Sequence, residues 1–154
     1  MINNNDIVEN KYFYKDDTRL TNYFVCDVVV DGIKYMSGEA AYHSQKFIDE
    51  DIRKVMSKLT PDESKRCSRV LSRLVRKDWE NVKYNLMKKV VKEKFRQNKD
   101  CLEELLGTKN LELIEDSTGR HDNIWGYCTC SECRNLEHQN LLGKILMEVR
   151  DELK

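Results

Sequence analysis

The hydrophobic pattern of the sequence changes its period at Ser37, and this change constrains the fold more than any other feature. Before it, the runs Tyr23 to Val30 and Ile33 to Tyr35 are rich in aromatic and β-branched side chains. Asp31-Gly32 lies between the two runs, and both residue types tolerate the positive φ that a two-residue hairpin turn requires. The pattern therefore predicts an N-terminal β-hairpin.

Beyond Ser37 the apolar residues recur at the three- and four-residue steps of amphipathic helices. Ser37 is a common N-cap type, and the spacing predicts one helical run from it to Met56. Pro61 suits the first turn of a second helix, and a longer third helix is expected to start near Lys77. Further segments follow in order: a short helix ended by Gly107 as its C′ residue, a strand from Leu111 to Ile114, an irregular stretch from Ser117 to His138, and an amphipathic helix from Leu141 to Leu153.

The order of these elements predicts an α+β fold, a mainly helical single domain with a small N-terminal β-hairpin. One proline and six glycines in 154 residues leave no room for a flexible linker. We expect residues 1–10 to be a flexible N-terminus and residues 11–154 to form the domain.

The charge balance and the apolar runs argue against several classes of protein. The 27 Lys and Arg are matched by 27 Asp and Glu, whereas a duplex-binding protein usually carries a large basic excess. No apolar run approaches the ~20 residues of a membrane span, and the start lacks the features of a signal peptide. We therefore expect no membrane partner. Three of the six cysteines are scattered singly in apolar patterns, which favours a reducing, cytoplasmic location.

The first predicted helix carries a polar face. Glu39, Tyr42, His43 and Lys46 stand at i, i+3, i+4 and i+7, so a continuous helix would place them on one side. An ordinary solvated face has the same pattern. The helix dipole favours a carboxylate in the first turn, so Glu39 suits a base or a group that stabilises positive charge.

The two tryptophans are candidates for binding a flat ring. Trp79 falls on an apolar helix stripe, where core packing is the simpler interpretation, whereas Trp125 lies in the irregular stretch, where it could stack on a base. Gly126 would let backbone approach a ligand. Asp122 supplies a second carboxylate, or serves as a turn residue.

Other polar residues have both a binding and a structural interpretation. Asn140 opens the last helix, where asparagine is a common N-cap. Arg69 and Arg76 lie seven residues apart and would share a face of an unbroken helix, where guanidinium groups could hold phosphate. Alone, they are ordinary surface charges.

Cys128, Cys130 and Cys133 are followed by His138, and four such groups could bind zinc. The Cys-x-Cys spacing is tighter than the usual gap between zinc ligands. A reduced loop and a disulfide are the alternatives, and no metal or cofactor is assigned to the predicted site.

Read in order, these segments resemble the NADAR (YbiA-like) family. The resemblance covers residues 19–153 and is carried by the following segments: Leu20-Thr21-Asn22-Tyr23, Asp31-Gly32-x-x-Tyr35, Ser37-Gly38-Glu39-x-x-Tyr42-x-x-x-Lys46-Phe47, Arg69, Arg76-Lys77-Asp78-Trp79-Glu80, Met87, Lys94-Phe95-x-Gln97-Asn98, Leu105-Leu106-x-Thr108, Asp122-x-x-Trp125-Gly126 and Asn140-x-Leu142-Gly143-x-x-Leu146-Met147-x-x-Arg150. The sequence departs from the family pattern at these positions: Ser68 for a common Gly, His43 for a frequent Gln, Gln139 for Gly, Leu141 for a basic residue, and a longer, Cys-rich loop over residues 127–138.

The resemblance implies hydrolysis of an N-glycosidic bond to ribose, with no cofactor. The substrates associated with the family are ADP-ribose attached to guanine, which the altered loop slightly favours here, and aminated ribosyl-phosphate intermediates of riboflavin synthesis. An ADP-ribosylated nucleic acid is a further partner that the first substrate type would allow.

The resemblance also implies roles for individual residues. Glu39 and Asp122 would be catalytic carboxylates, and Lys46 either a charged ammonium or an amine that forms a Schiff base. The substrate would be bound by Asn22, Tyr42, Arg69, Trp79, Trp125, Gly126 and Asn140. The alternatives are an ADP-ribose-binding module without turnover and a Cys-rich nucleic-acid-binding protein.

Overall fold

The computed structural model of the protein describes residues 10–13 and 18–154. Among them are four short strands: β1 (Asn10–Phe13), β2 (Val25–Val30), β3 (Ile33–Ser37) and β4 (Glu112–Glu115). The six α-helices in this part of the chain are α1 (Gly38–Ser44), α2 (Glu50–Met56), α3 (Pro61–Val70), α4 (Trp79–Gln97), α5 (Lys99–Gly107) and α6 (Leu141–Glu152). The predicted α+β class is confirmed. The predicted flexible segment 1–10 lies outside the described residues except for Asn10, the first residue of β1.

The predicted hairpin is confirmed. Strands β2 and β3 pair antiparallel, and Val30 faces Ile33 across the turn. Asp31 has a φ of 51° and Gly32 a φ of 80°, as a type I′ turn requires.

The second sheet joins distant parts of the chain. Strand β4 lies one residue later than predicted and pairs in parallel with β1, which the sequence pattern did not predict. Leu113 and Phe13 are fully buried at this pair, so β1 closes one side of the core.

The helical run predicted from Ser37 to Met56 is wrong, because the chain leaves the helix after Ser44. The amides of Gln45, Lys46 and Phe47 each bond the carbonyl three residues back, which tightens the last turn and ends α1. The Ser44 hydroxyl donates to the Ala41 carbonyl at 2.6 Å and competes with the helix ladder. Helix α2 then starts independently.

Two other local predictions are corrected. Gly107 is the last residue of α5 rather than its C′ residue, and the left-handed position falls on Lys109, with a φ of 52°. Arg76 does not share a helix face with Arg69, because α3 ends at Val70 and Arg76 pairs with Asp78 at 2.6 Å.

The core lies between the β2–β3 hairpin and helices α1, α4 and α6. The sequence spacing predicts an apolar stripe of Trp79, Val82, Leu86, Val90 and Phe95 on α4. The buried face is turned slightly from this stripe and carries Met87, Val90, Val91 and Phe95. Lys94 is also fully buried on this face, and its Nζ donates to the carbonyls of Arg19 and Thr21, both at 2.6 Å. These bonds hold the segment before β2 against α4. No helix among the described residues is both long and apolar enough to cross a membrane.

Candidate functional site

A cavity of about 250 Å³ opens where α1, α3 and the chain after β4 meet. Its lining is rich in charged and aromatic side chains, and Met87 and Leu142 supply apolar surface. The polar and aromatic lining comprises Thr21, Asn22, Tyr23, Glu39, Tyr42, His43, Lys46, Lys65, Ser68, Arg69, Glu115, Arg120, Asp122 and Trp125.

The start of α1 is fixed by two contacts. The Ser37 hydroxyl accepts from the Ala40 amide at 3.1 Å, which confirms Ser37 as the N-cap. The Glu39 amide bonds the Asn22 carbonyl at 2.9 Å, and a side chain at Gly38 would meet the Asn22 Oδ1 at 3.0 Å. Glycine at position 38 therefore lets Asn22 and Glu39 lie side by side in the cavity wall.

The Glu39 carboxylate belongs to a chain of three polar side chains. Its Oε1 lies 2.8 Å from the His43 Nε2, and the His43 Nδ1 lies 3.2 Å from the Ser68 Oγ. All three residues are largely or fully buried. His43 and Ser68 are two of the positions that depart from the family pattern, and the structure places them in contact.

Lys46 lies beyond the end of α1, yet it still reaches the cavity. The Arg76 amide donates to the Lys46 carbonyl at 2.8 Å and holds the backbone there. The Lys46 Nζ lies 5.7 Å from the ring centres of both Tyr42 and Trp79. Burial lowers the pKa of Lys46, the Glu39 carboxylate opposes this shift, and the nearby Arg69 lowers the pKa further.

Tyr42 lies at the centre of an aromatic group. Its ring centre is 5.4 Å from Trp79 and 5.6 Å from Trp125, the second at a steep edge-on angle of 73°. Trp125 lines the cavity, whereas Trp79 packs behind Tyr42 and supports it.

Asp122 organises the opposite wall. Its Oδ1 accepts from the amides of Ile124 and Trp125, at 3.1 and 2.9 Å. The carboxylate therefore combines the two predicted interpretations, since it shapes a turn and also lines the cavity.

Glu115 is the main site residue that the sequence analysis missed. It ends β4, is 9% exposed and lines the cavity. Burial, with a smaller contribution from the neighbouring Asp122 and Glu39, raises its pKa to about 7, although Arg120, 3.6 Å away, opposes the shift. The available signal was a pair of acidic residues, Glu115 and Asp116, directly after an apolar strand.

Seven of the ten predicted site residues line the cavity: Asn22, Glu39, Tyr42, Lys46, Arg69, Asp122 and Trp125. Trp79, Gly126 and Asn140, all of which the structure describes, lie outside that lining.

Gly126 and Asn140 both contact β4. A Cβ at Gly126 would lie 2.9 Å from the Glu115 carbonyl, so glycine at this position lets the end of β4 approach closely. The Asn140 Oδ1 accepts from the Glu115 amide at 3.0 Å, and its Nδ2 donates to the Leu113 carbonyl at 2.9 Å. The side chain thus makes the two hydrogen bonds that a neighbouring strand would make to β4. Asn140 occupies the N-cap position of α6 without capping it, because its amide group is committed to β4.

The cysteine-rich segment lies beside the Asp122 wall. His138, the histidine predicted to accompany the cysteines, stacks on Tyr127 at 3.8 Å and bonds the Cys128 carbonyl at 3.0 Å. The imidazole that faces the sulfur atoms belongs to His121.

Comparison with known proteins identifies relatives across nearly the whole chain. The family model described as the NADAR domain matches residues 12–154. N-glycosidase YbiA of Shigella boydii is 32% identical over 150 residues, which cover 96% of this chain and 89% of that protein. The NMR structure of the E. coli protein YbiA superposes with a TM-score of 0.76 at 28% identity, covering 96% of this chain and 87% of that one.

A riboflavin biosynthesis protein of Vibrio vulnificus is 35% identical over 147 residues. The match covers 93% of this chain but only 38% of that protein. The shared region is therefore one part of a longer relative.

Proposed function

The chain belongs to the NADAR domain family and is an N-glycosidase, and from that premise we propose that it hydrolyses the bond between C1 of a phosphorylated ribose and a ring or amine nitrogen. The observation that carries the proposal is the convergence of three carboxyl groups, Glu39, Glu115 and Asp122, with the Lys46 amine and the Trp125 ring in one cavity.

The carboxyl groups match the charge that develops during the reaction. Cleavage of the C1–N bond builds positive charge on C1 and the ring oxygen, and preorganised anionic groups stabilise such charge most effectively in a partly buried site. Glu39, oriented by His43, and Asp122, fixed by the turn it caps, would supply that stabilisation from opposite walls.

Glu115 is suited to protonate the departing nitrogen. The electron pair of the C1–N bond moves to the leaving group, which then needs a proton. A general acid works best when its pKa lies near the working pH, and burial raises the pKa of Glu115 to about 7. Glu115 is therefore assigned as the proton donor.

Lys46 has two roles open to it, and burial, which lowers its pKa, makes the neutral amine more accessible than in an exposed lysine. As a neutral amine it would attack C1 as the bond to the leaving nitrogen breaks, and opening of the sugar ring would give an imine. Water then adds to C1 and releases Lys46. As an ammonium ion it would bind phosphate instead.

Borohydride separates these two roles of Lys46. If the imine forms, reduction during turnover should leave a stable sugar adduct on the protein, detected by intact mass and absent from Lys46→Arg. An active enzyme that gives no adduct would assign Lys46 the electrostatic role.

The phosphate groups would bind at the cationic side chains of the cavity. Lys65 and Arg69 lie four residues apart on α3 and so share a face, and Arg120 approaches from the opposite wall. A cavity of about 250 Å³ lies just below the usual range of ligand-pocket volumes, ~300–1,000 Å³, which suits the ribosyl group and its immediate neighbours.

We favour ADP-ribose attached to guanine as the substrate. The support is the Cys-rich loop, which departs from the family pattern and adjoins the wall formed by Asp122 and Trp125. This choice makes an ADP-ribosylated nucleic acid a partner. The second candidate is an aminated ribosyl-phosphate intermediate, favoured by the name of the Vibrio relative.

Offering both compounds side by side tests the choice. We expect release of guanine from the ADP-ribosylated substrate with the higher kcat/KM. Faster release of the amine from the ribosyl phosphate would reverse the assignment, and binding of ADP-ribose without turnover of either compound would contradict the proposed reaction.

A cytoplasmic location fits this function. The six cysteines are all free thiols, as a reducing compartment maintains them.

A further inference from the structure

Four side chains of the loop after β4 converge away from the cavity. They are His121, Cys128, Cys130 and Cys133, and their ligand atoms all lie within 4.8 Å of one another. The proposed reaction uses none of them. The geometry points to a structural zinc site formed by these three thiolates and one imidazole.

The distances agree with tetrahedral coordination. The His121 Nδ1 lies 3.3 Å from the Cys133 Sγ, 3.5 Å from the Cys130 Sγ and 3.9 Å from the Cys128 Sγ. In a tetrahedral site with Zn–S of ~2.3 Å and Zn–N of ~2.0 Å, nitrogen and sulfur lie about 3.5 Å apart. One ion at the centre can therefore reach all four atoms with only small side-chain movements.

The orientation of His121 supports this assignment. Its φ of 55° is unusual for a residue other than glycine, and in this conformation Nδ1 faces the three sulfur atoms. The Nε2 lies 4.0 Å from the Glu132 carboxylate. This separation is too long for a hydrogen bond, but a small movement of the exposed Glu132 side chain would allow the contact to a carboxylate that zinc-bound histidines commonly make.

The donor set and its burial favour zinc over other ions. Three thiolates and one imidazole are typical of structural zinc sites, and four protein ligands leave no open position for catalysis. Cys128 is fully buried, Cys133 is 4% exposed and Cys130 is partly buried, so bulk solvent is largely excluded from two of the sulfurs.

The site would clamp one wall of the cavity. His121 precedes Asp122 directly, and Cys128 follows Trp125 by three residues, so an ion between them closes the short segment that carries both cavity residues. This segment has little regular structure of its own. Metal binding would thus replace the packing that holds the other walls. The metal assignment stands or falls independently of the proposed glycosidase reaction.

Metal content of the purified full chain is the first test. Elemental analysis after purification under reducing conditions, without chelator, should give about one zinc per chain. His121→Ala and Cys133→Ser should lower this content at least about fivefold, because each removes a ligand. His138→Ala and Cys67→Ser are matched controls that should retain the zinc.

Wild-type protein without zinc, or equal loss of zinc in His121→Ala and His138→Ala, would overturn the assignment. So would an intact mass, measured without reductant, that is lower by two hydrogens because a disulfide has formed among the three cysteines.

Cobalt gives a readout that does not depend on whether a variant folds. Titration of Co²⁺ into the zinc-depleted wild-type chain should produce the intense visible absorption of tetrahedral cobalt and thiolate-to-metal charge transfer, both abolished by added zinc. The weak absorption of six-coordinate cobalt would contradict the proposed site.

Hydrogen exchange tests the clamp. Removal of zinc should speed amide exchange by at least about tenfold over residues 119–136 and leave residues 38–44 unchanged. Equal exchange of both segments with and without metal would contradict the clamp.

Discussion

The two walls of the cavity are built in different ways. The α1 wall, with Glu39, Tyr42 and His43, is held by a capped helix whose buried residues pack against α3 and α4. The opposite wall, with Asp122 and Trp125, lies in an irregular segment. Hydrogen bonds hold this segment in place: the Asp122 carboxylate accepts from two amides of the segment, and the carbonyls of residues 123–125 accept from the amides of residues 139, 141 and 142.

This difference separates the sources of stability. Burial of apolar surface fixes the α1 wall wherever the domain folds. The Asp122 wall depends on individual polar contacts, and with zinc bound it would also depend on metal and redox state. A chelator or a thiol oxidant should therefore disturb the Asp122 wall before the α1 wall, although both walls carry residues assigned to catalysis.

The largest expected effect comes from neutralising one carboxylate in each wall. Glu39→Gln and Asp122→Asn should each lower kcat by roughly 10²–10³-fold, because each removes a charge that we propose stabilises the transition state. Both replacements keep an acceptor oxygen, so the thermal midpoint should stay near that of the wild type. Steady-state kinetics and thermal unfolding of the purified variants measure the two effects.

Glu50→Gln is the matched control, since Glu50 also lies in the first turn of a helix but is exposed on α2. Wild-type turnover in either Glu39→Gln or Asp122→Asn would remove that wall from the mechanism.

An intermediate effect is expected at Glu115, between the two walls. Because its pKa is raised to about 7 and the protonated form is the proposed donor, the kcat/KM of the wild type should fall as pH rises above about 7. Glu115→Gln should be slower by roughly 10–100-fold at pH 6 and lack this decline. A decline of the same size in the variant would assign it to another group.

Stability offers a separate check on Glu115. A raised folded-state pKa means that its contribution to stability is present at low pH and is lost as pH rises through about 7. The wild type should therefore lose this contribution between pH 5 and pH 8, whereas Glu115→Gln should not. The difference in free energy of unfolding between the two should shift in favour of the variant by on the order of 1–3 kcal/mol over this range. Denaturant titrations at the two pH values measure this shift, and no shift would contradict the raised pKa.

The smallest expected effect concerns His43, which orients Glu39 within the α1 wall. His43→Gln can still donate to Glu39 and should change kcat by less than about threefold, whereas His43→Leu should lower it about tenfold by removing the bond. The comparison needs kcat and KM separately, because orientation of Glu39 affects kcat more. Equal losses in both variants would show that shape at position 43 matters rather than the hydrogen bond.

Local features were predictable because they depend on near neighbours in the chain. The Asp31-Gly32 turn follows from backbone preferences of two residues, and the starts of α1 and α3 follow from Ser37 and Pro61. Of the ten site residues predicted from the family resemblance, seven line the cavity. Helical periodicity alone could not show that α1 ends at Ser44, because the apolar spacing continues past it.

The sequence by itself determined the fold class, the hairpin, the family and the α1 wall of the cavity. Only the tertiary structure decided that Glu115 faces the cavity, that Asn140 binds β4, and that His121 rather than His138 meets the cysteines. Turn and helix signals act over a few residues, whereas these contacts depend on how segments far apart in the chain, or a loop without periodic pattern, fold back on one another.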